Sequence, residues 1–163
     1  IDVFRVATSQ MSRIDWVTHL AGKPIIENKV PSSPYKIGNE RGYKHLYNAR
    51  QIKWKEKGTT LWGEGENIAK MEFIVPPGTD VVIADEPSVC KEKLLGALSK
   101  PDEQTAFILS AKSKNVAFVS VWSTVDKKIK LHSVKTSKNG DVDVYIEKEG
   151  RVIKQQFVME DKS

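Results

Sequence analysis

Arg5 is the residue whose type and position first ask for chemistry. It lies in Ile1-Asp2-Val3-Phe4-Arg5-Val6-Ala7-Thr8-Ser9, which alternates like a half-buried strand. Val3, Arg5 and Ala7 fall on one face, and Phe4, Val6 and Thr8 on the other. A guanidinium in such a strand is costly unless it meets an anion or a carboxylate. At the mouth of a cleft it would hold a phosphate or orient a catalytic acid; at a sheet edge it would pair with a nearby acid. Both readings stand at this point.

The histidines offer a second chemistry. His19, His45 and His132 are far apart and have no metal-ligand spacing. A metal-independent ribonuclease needs a general base, a general acid and a cation for the pentavalent phosphate. His45 or His19, with Glu64 or Glu66 and a nearby lysine, meets that requirement, and Arg41 and Lys44 flank His45 among tyrosines. For any one histidine, a surface or structural role is the plainer reading. Gly63-Glu64-Gly65-Glu66-Asn67 puts acids where a phosphate cradle needs bare N–H groups. Of the tryptophans at 16, 54, 62 and 122, Trp62 is the one expected to be exposed for a ligand.

The elements that must position these groups read as α+β. After the first strand, a helix is expected from Ser12 through Leu20, with Ile14, Val17 and Leu20 on one side and Gly22 as its stop. Residues 23–38 hold three prolines, Pro24, Pro31 and Pro34, and read as a long loop. A second helix is expected from Asn39 to about Trp54, and a third over Ser88–Ser99. Met71–Val75 and Asp80–Ala84 read as strands joined by a turn at Pro76-Pro77-Gly78-Thr79.

The last third favours strand at Thr105–Ser110, Val116–Thr124, Lys128–Thr136, Val142–Glu147 and Val152–Met159. Asn139-Gly140 and Glu149-Gly150 are the hairpin signals. The expectation is one domain over 1–163, with helices near the N-terminal half, a mixed or antiparallel sheet and a C-terminal β-meander.

Val3-Phe4-Arg5-Val6-Ala7-Thr8-Ser9 resembles the first strand of the pertussis- and cholera-type ADP-ribosyltransferase toxins, where an aromatic–Arg–Val run braces the NAD site. Gly58-Thr59-Thr60 is similar to that family's second element. Asp102-Glu103-Gln104-Thr105-Ala106-Phe107-Ile108 places an acid before an apolar strand, as its third element does. Glu72-Phe73-Ile74-Val75-Pro76-Pro77 resembles the glutamate–aliphatic–Pro-Pro stretch of vertebrate-type mono-ADP-ribosyltransferases. The family's paired acid, Glu-x-Glu or Gln-x-Glu, is absent at both positions.

The resemblance implies NAD as the substrate, with no metal. Arg5 would hold its phosphate or brace the site, and Thr59 and Thr60 would order the cleft. Tyr43, Tyr47 or Trp62 would wall the nicotinamide, and Glu103 or Glu72 would be the catalytic carboxylate beside the oxocarbenium-like transition state.

Bulk properties bound the rest. At 163 residues and 39% hydrophobic content the chain can build a core without metal or disulfide support. No apolar run approaches the roughly 20 residues of a membrane-spanning helix. Cys90 is the single cysteine, which excludes an internal disulfide and thiolate-rich metal sites. It leaves localisation open between a secreted or delivered effector and the cytoplasm. A chain opening on Ile is expected to be a processed or excised piece.

The net charge is +5, carried mostly by lysine, which suits solubility and attracts polyanions. Lys127-Lys128-Ile129-Lys130 through Lys138 reads as a solvated edge that could dock an acidic partner, an inhibitor protein or RNA. The leading expectation is a monomeric, NAD-consuming ADP-ribosyltransferase-like toxin or effector domain that modifies a macromolecular target. A metal-independent ribonuclease-type toxin domain and a non-enzymatic basic binding domain are the alternatives.

Overall fold

The computed structural model describes residues 1–26, 30–40, 42–63, 68–87 and 104–158. Within them the chain is all-β: β1 Asp2–Ala21, β2 Ser32–Pro34, β3 Tyr47–Ile52, β4 Lys57–Trp62, β5 Ala69–Ile74, β6 Thr79–Glu86, β7 Gln104–Thr124, β8 Ile129–Thr136, β9 Val142–Lys148 and β10 Arg151–Phe157. This corrects the α+β expectation. Residues 12–20 continue the first strand, and within 39–54 a turn at 42–45 is followed by β3. The third expected helix, Ser88–Ser99, lies outside the described residues. Among the described residues no helix is long and apolar enough to cross a membrane.

The first helix expectation fails for a specific reason. Ile14, Val17 and Leu20 fit a helical spacing, but Ile14 and Trp16 fit a strand spacing equally well, and both are buried. The β-branched and aromatic content of Ile14-Asp15-Trp16-Val17-Thr18 favours the strand, and a long partner decides it. That partner is β7, whose pairing with β1 runs from Asp2↔Ser120 to Ala21↔Gln104.

Strand β7 is the spine of the molecule. Its other edge is shared by two strands laid end to end: β6 pairs with Gln104–Ala111, and β5 with Ser120–Thr124. The expected turn at Pro76–Thr79 is present, with the Thr79 N–H donating to Pro76 O at 3.1 Å. It joins two strands along one edge rather than folding them into a hairpin. Strands β3 and β2 extend the sheet beyond β6, and β4 extends it beyond β5.

The sheet curls around an inner core of Ile14, Trp16, Trp62, Met71, Phe73 and Phe107, with the rings of Phe73 and Phe107 packed edge-on at 4.9 Å. An Ile25–Leu61 bridge brings the segment after β1 onto β4, through N–H···O bonds of 2.8 and 3.1 Å.

The outer face of β7 is also covered, which is why the strand is apolar on both sides. Over its second half lies the three-stranded sheet β10-β9-β8, packed through Val119, Val121, Leu131, Val142 and Val144. Over its first half lies the 35–46 segment, with Tyr35, Ile37, Tyr43 and Leu46 against Val82, Ala106 and Ile108. Of the five strands expected as a C-terminal meander, Thr105–Ser110 and Val116–Thr124 are instead one continuous strand, β7, in the large sheet, and only β8, β9 and β10 form a meander. Its second turn carries positive φ at Glu149 and Gly150, 53° and 75°, as a two-residue hairpin loop requires.

Candidate functional site

The curl separates the residues singled out by sequence. Arg5 stands opposite Ala117, and like Ala117 it faces the three-stranded sheet. Its guanidinium lies against Gly140 in the β8–β9 turn, and its Nε is buried without a hydrogen-bond partner. Thr60 belongs to the inner face: it is buried and donates to Ile25 O at 3.3 Å. Thr59, its neighbour along β4, points the other way, opposite Glu72.

Trp62 is buried at 4% exposure and packs edge-on against Phe107. It is core, not the exposed ligand wall expected. Alternation explains this, because Gly58, Thr60 and Trp62 occupy the inward positions of β4. Glu103 lies outside the described residues.

Glu72 is committed to holding the two sheets together. Its Oε2 accepts the Leu131 N–H, and its Oε1 is 3.6 Å from Lys70 Nζ. Lys70 in turn donates to Ile129 O at 2.6 Å, and Lys57 to Leu131 O at 2.9 Å. The open edge of β8 is thereby closed by three side chains of β4 and β5, the kind of cover an edge strand needs. Arg5 and Glu72 register with Ala117 and Val121 on opposite edges of β7. Strand geometry puts their Cα atoms roughly 16 Å apart.

The densest polar cluster is one the sequence reading passed over. Asp15, Ser110 and Asp80 stand in one row across β1, β7 and β6. Tyr43 donates its hydroxyl proton to Asp15 Oδ2 at 2.6 Å, and Tyr35 to Asp80 Oδ2 at 3.2 Å. Gln51 Nε2 donates to Asp80 Oδ1 at 2.5 Å. Arg13 Nε donates to Asp15 and to Ser110 Oγ at 3.2 Å, and its guanidinium lies 5.1 Å from the Tyr43 ring centre.

Burial, followed by the bonded carboxylates, raises both tyrosines above their ordinary range. They therefore remain donors at neutral pH, and each aspartate is occupied. The cluster fastens the 35–46 segment to the sheet and presents neither a free base nor a free acid. Its signal was the period-two run Arg13-Ile14-Asp15-Trp16, which the helical reading concealed.

The remaining candidates disperse. Tyr47 is 48% exposed at the start of β3. His19 Nδ1 meets Glu86 Oε2 at 2.6 Å, His45 is on the exposed 42–45 turn, and His132 is exposed on β8. Glu64, Glu66 and Arg41 lie outside the described residues. Among the described residues no group of three or more His, Cys, Asp or Glu side chains is placed to hold a metal.

Besides a cleft of about 420 Å³ between the 126–129 turn and the β9–β10 turn, lined by Lys127, Lys128, Lys148, Asp126 and Glu149, a concavity lies where the spine is left uncovered. Pairing with β6 stops at Ala111 and pairing with β5 begins at Ser120, so residues 112–119 of β7 have no partner strand on that edge. Pro76 and Pro77 pass opposite them without N–H groups to offer. The result is a groove of about 440 Å³, floored by Lys112, Ser113 and Asn115 and walled by Pro76-Pro77 and by Val134 and Thr136 of β8. Among the described residues Lys112 is the one charged residue lining it; it is exposed and makes no ion pair with any of them. No family model, curated protein or solved structure matches the chain.

Proposed function

We propose that this chain is a non-enzymatic basic binding domain for an acidic macromolecular partner. The supporting observation is how the two signs of charge are deployed. Several carboxylates are engaged by the fold: Asp2 accepts from Trp16 Nε1 at 3.2 Å, Asp15 and Asp80 from tyrosines, Asp85 from Asn48, and Glu72 from Leu131 N–H, whereas Glu40, Glu56, Asp126 and Glu149 are exposed. Lysines such as Lys112, Lys114, Lys128, Lys130 and Lys138 are exposed and have no acidic partner among the described residues. These exposed lysines present part of the net +5 charge to solvent.

The transferase reading draws no comparable support, since Arg5 and Thr60 sit on opposite faces of the sheet. The ribonuclease reading has a histidine paired with Glu86 and two exposed ones on separate elements. Turnover is the test. The purified chain, given NAD or RNA without metal, is expected to consume neither and to be retained on immobilised poly-L-glutamate at low salt. NAD cleavage lost in Arg5→Ala, or RNA cleavage lost in His45→Ala, would overturn the proposal.

A further inference from the structure

We infer that the groove over residues 112–119 of β7 is the docking site for an extended acidic segment of a partner protein, an inference that rests on the binding-domain reading above. Three observations converge there. First, β7 is bare on that edge between Ala111 and Ser120. An antiparallel strand turns its N–H and C=O groups alternately to its two edges, so an edge without a partner strand is one to which an added strand hydrogen-bonds; within the stretch, the Asn115 N–H and C=O already bond to Ser113 Oγ at 3.0 and 2.8 Å.

Second, the vacancy is fixed by composition. Pro76 and Pro77 cannot donate to β7, so the chain's own β5–β6 connection cannot fill the gap by pairing. On the opposite edge, the β1–β7 register shifts between Ala7 and Ser12, where residues 8–11 of β1 bulge against Lys114 of β7. On β7 itself Lys112, Lys114 and Asn115 are exposed.

Third, the charge selects the occupant. Among the described residues Lys112 is the only ionised side chain lining the groove, and the other polar lining side chains, Ser113, Asn115 and Thr136, are neutral. Ile74, Pro76, Pro77 and Val134 supply apolar contact. A strand alternating acidic and small or apolar residues meets all of this: its carboxylates reach Lys112 while its backbone meets β7. The volume, about 440 Å³, falls within the roughly 300–1,000 Å³ of ordinary ligand sites. A polysaccharide or nucleic acid would meet the lysine but would leave the strand edge unpaired.

The experiment uses the full chain and a fluorescent peptide of alternating Glu and Thr, followed by anisotropy and by backbone amide shifts. Lys112→Glu reverses the groove's charge at an exposed position and is expected to weaken peptide binding by about tenfold. Lys148→Glu, exposed at the far hairpin of the small sheet, is expected to change it less than about threefold. Amides between Ser113 and Ala117 are expected to shift on binding.

Equal losses in the two variants, or unmoved amides at 113–117 with peptide bound, would overturn the site while leaving the binding-domain reading intact. Heparin or an oligonucleotide binding through Lys112 where the peptide does not bind would overturn the peptide as occupant. No binding of any polyanion at low salt would overturn both.

Discussion

The guanidinium of Arg5 occupies the space that a side chain on residue 140 would fill, and Gly140 is the residue that leaves it empty. Gly140 also holds a φ of 92°, a conformation that side chains disfavour. The arginine that promised an anion-binding strand is thus seated beneath the β8–β9 turn. The strongest hairpin signal in the chain forms its cover.

This fit is testable by mutation. Gly140→Ala is expected to destabilise the chain by about 2 kcal/mol, through positive φ and overlap with Arg5 together. Repeated in an Arg5→Ala background, the same change should cost less, because only the backbone part remains. Denaturant unfolding of the four proteins measures the difference. Equal costs in both backgrounds would contradict the contact.

Glu72 is expected to act on stability and not on chemistry. Glu72→Ala strands the Leu131 N–H and removes the Lys70 pairing at the junction of the two sheets. A loss of roughly 2 kcal/mol is expected, since a buried donor is left unmet. Binding of an acidic polymer by the folded variant should be unchanged. A stability change below about 0.5 kcal/mol would mean that the clip does not join the sheets.

The Asp15–Tyr43 bond makes a prediction about alkaline stability. Burial and the bond to Asp15 raise the Tyr43 hydroxyl above its ordinary value, so the folded state retains a proton that the unfolded chain releases near pH 10. Stability from this source is therefore present below about pH 10 and falls as pH rises above it. Tyr35, raised by burial and by Asp80, adds in the same direction. Tyr43→Phe is expected to lower stability at neutral pH and to flatten the alkaline decline. Urea unfolding at a series of pH values checks both, and an unchanged alkaline slope would contradict the assignment.

What the sequence disclosed, and what it concealed, follows from the range of the interactions. Turns written in local chemistry were legible: Asn139-Gly140, Glu149-Gly150 and Pro76–Thr79 all lie where expected. The period-two run around Arg5 was legible as well. The helices expected at 12–20 and 39–54 were not correctable locally, because pairing with β7 and β6 decided them.

The site suffered in the same way. Period two assigns Thr59 and Thr60 to opposite faces from sequence alone, but which face was core could be seen only once β4 was placed on β5. Trp62 was thus expected at the surface although it occupies an inward position. The groove was written in Pro76-Pro77, whose missing donors forbid pairing. The strand that would be left bare, however, lies some forty residues further on in the chain.

The central claim is that this chain presents uncompensated lysine charge to an acidic partner. Titration with poly-L-glutamate across a series of salt concentrations tests it most directly. The account predicts binding at low salt that weakens linearly with the logarithm of salt concentration, as released counterions require. Absence of binding at low salt, or an affinity indifferent to salt, would contradict it.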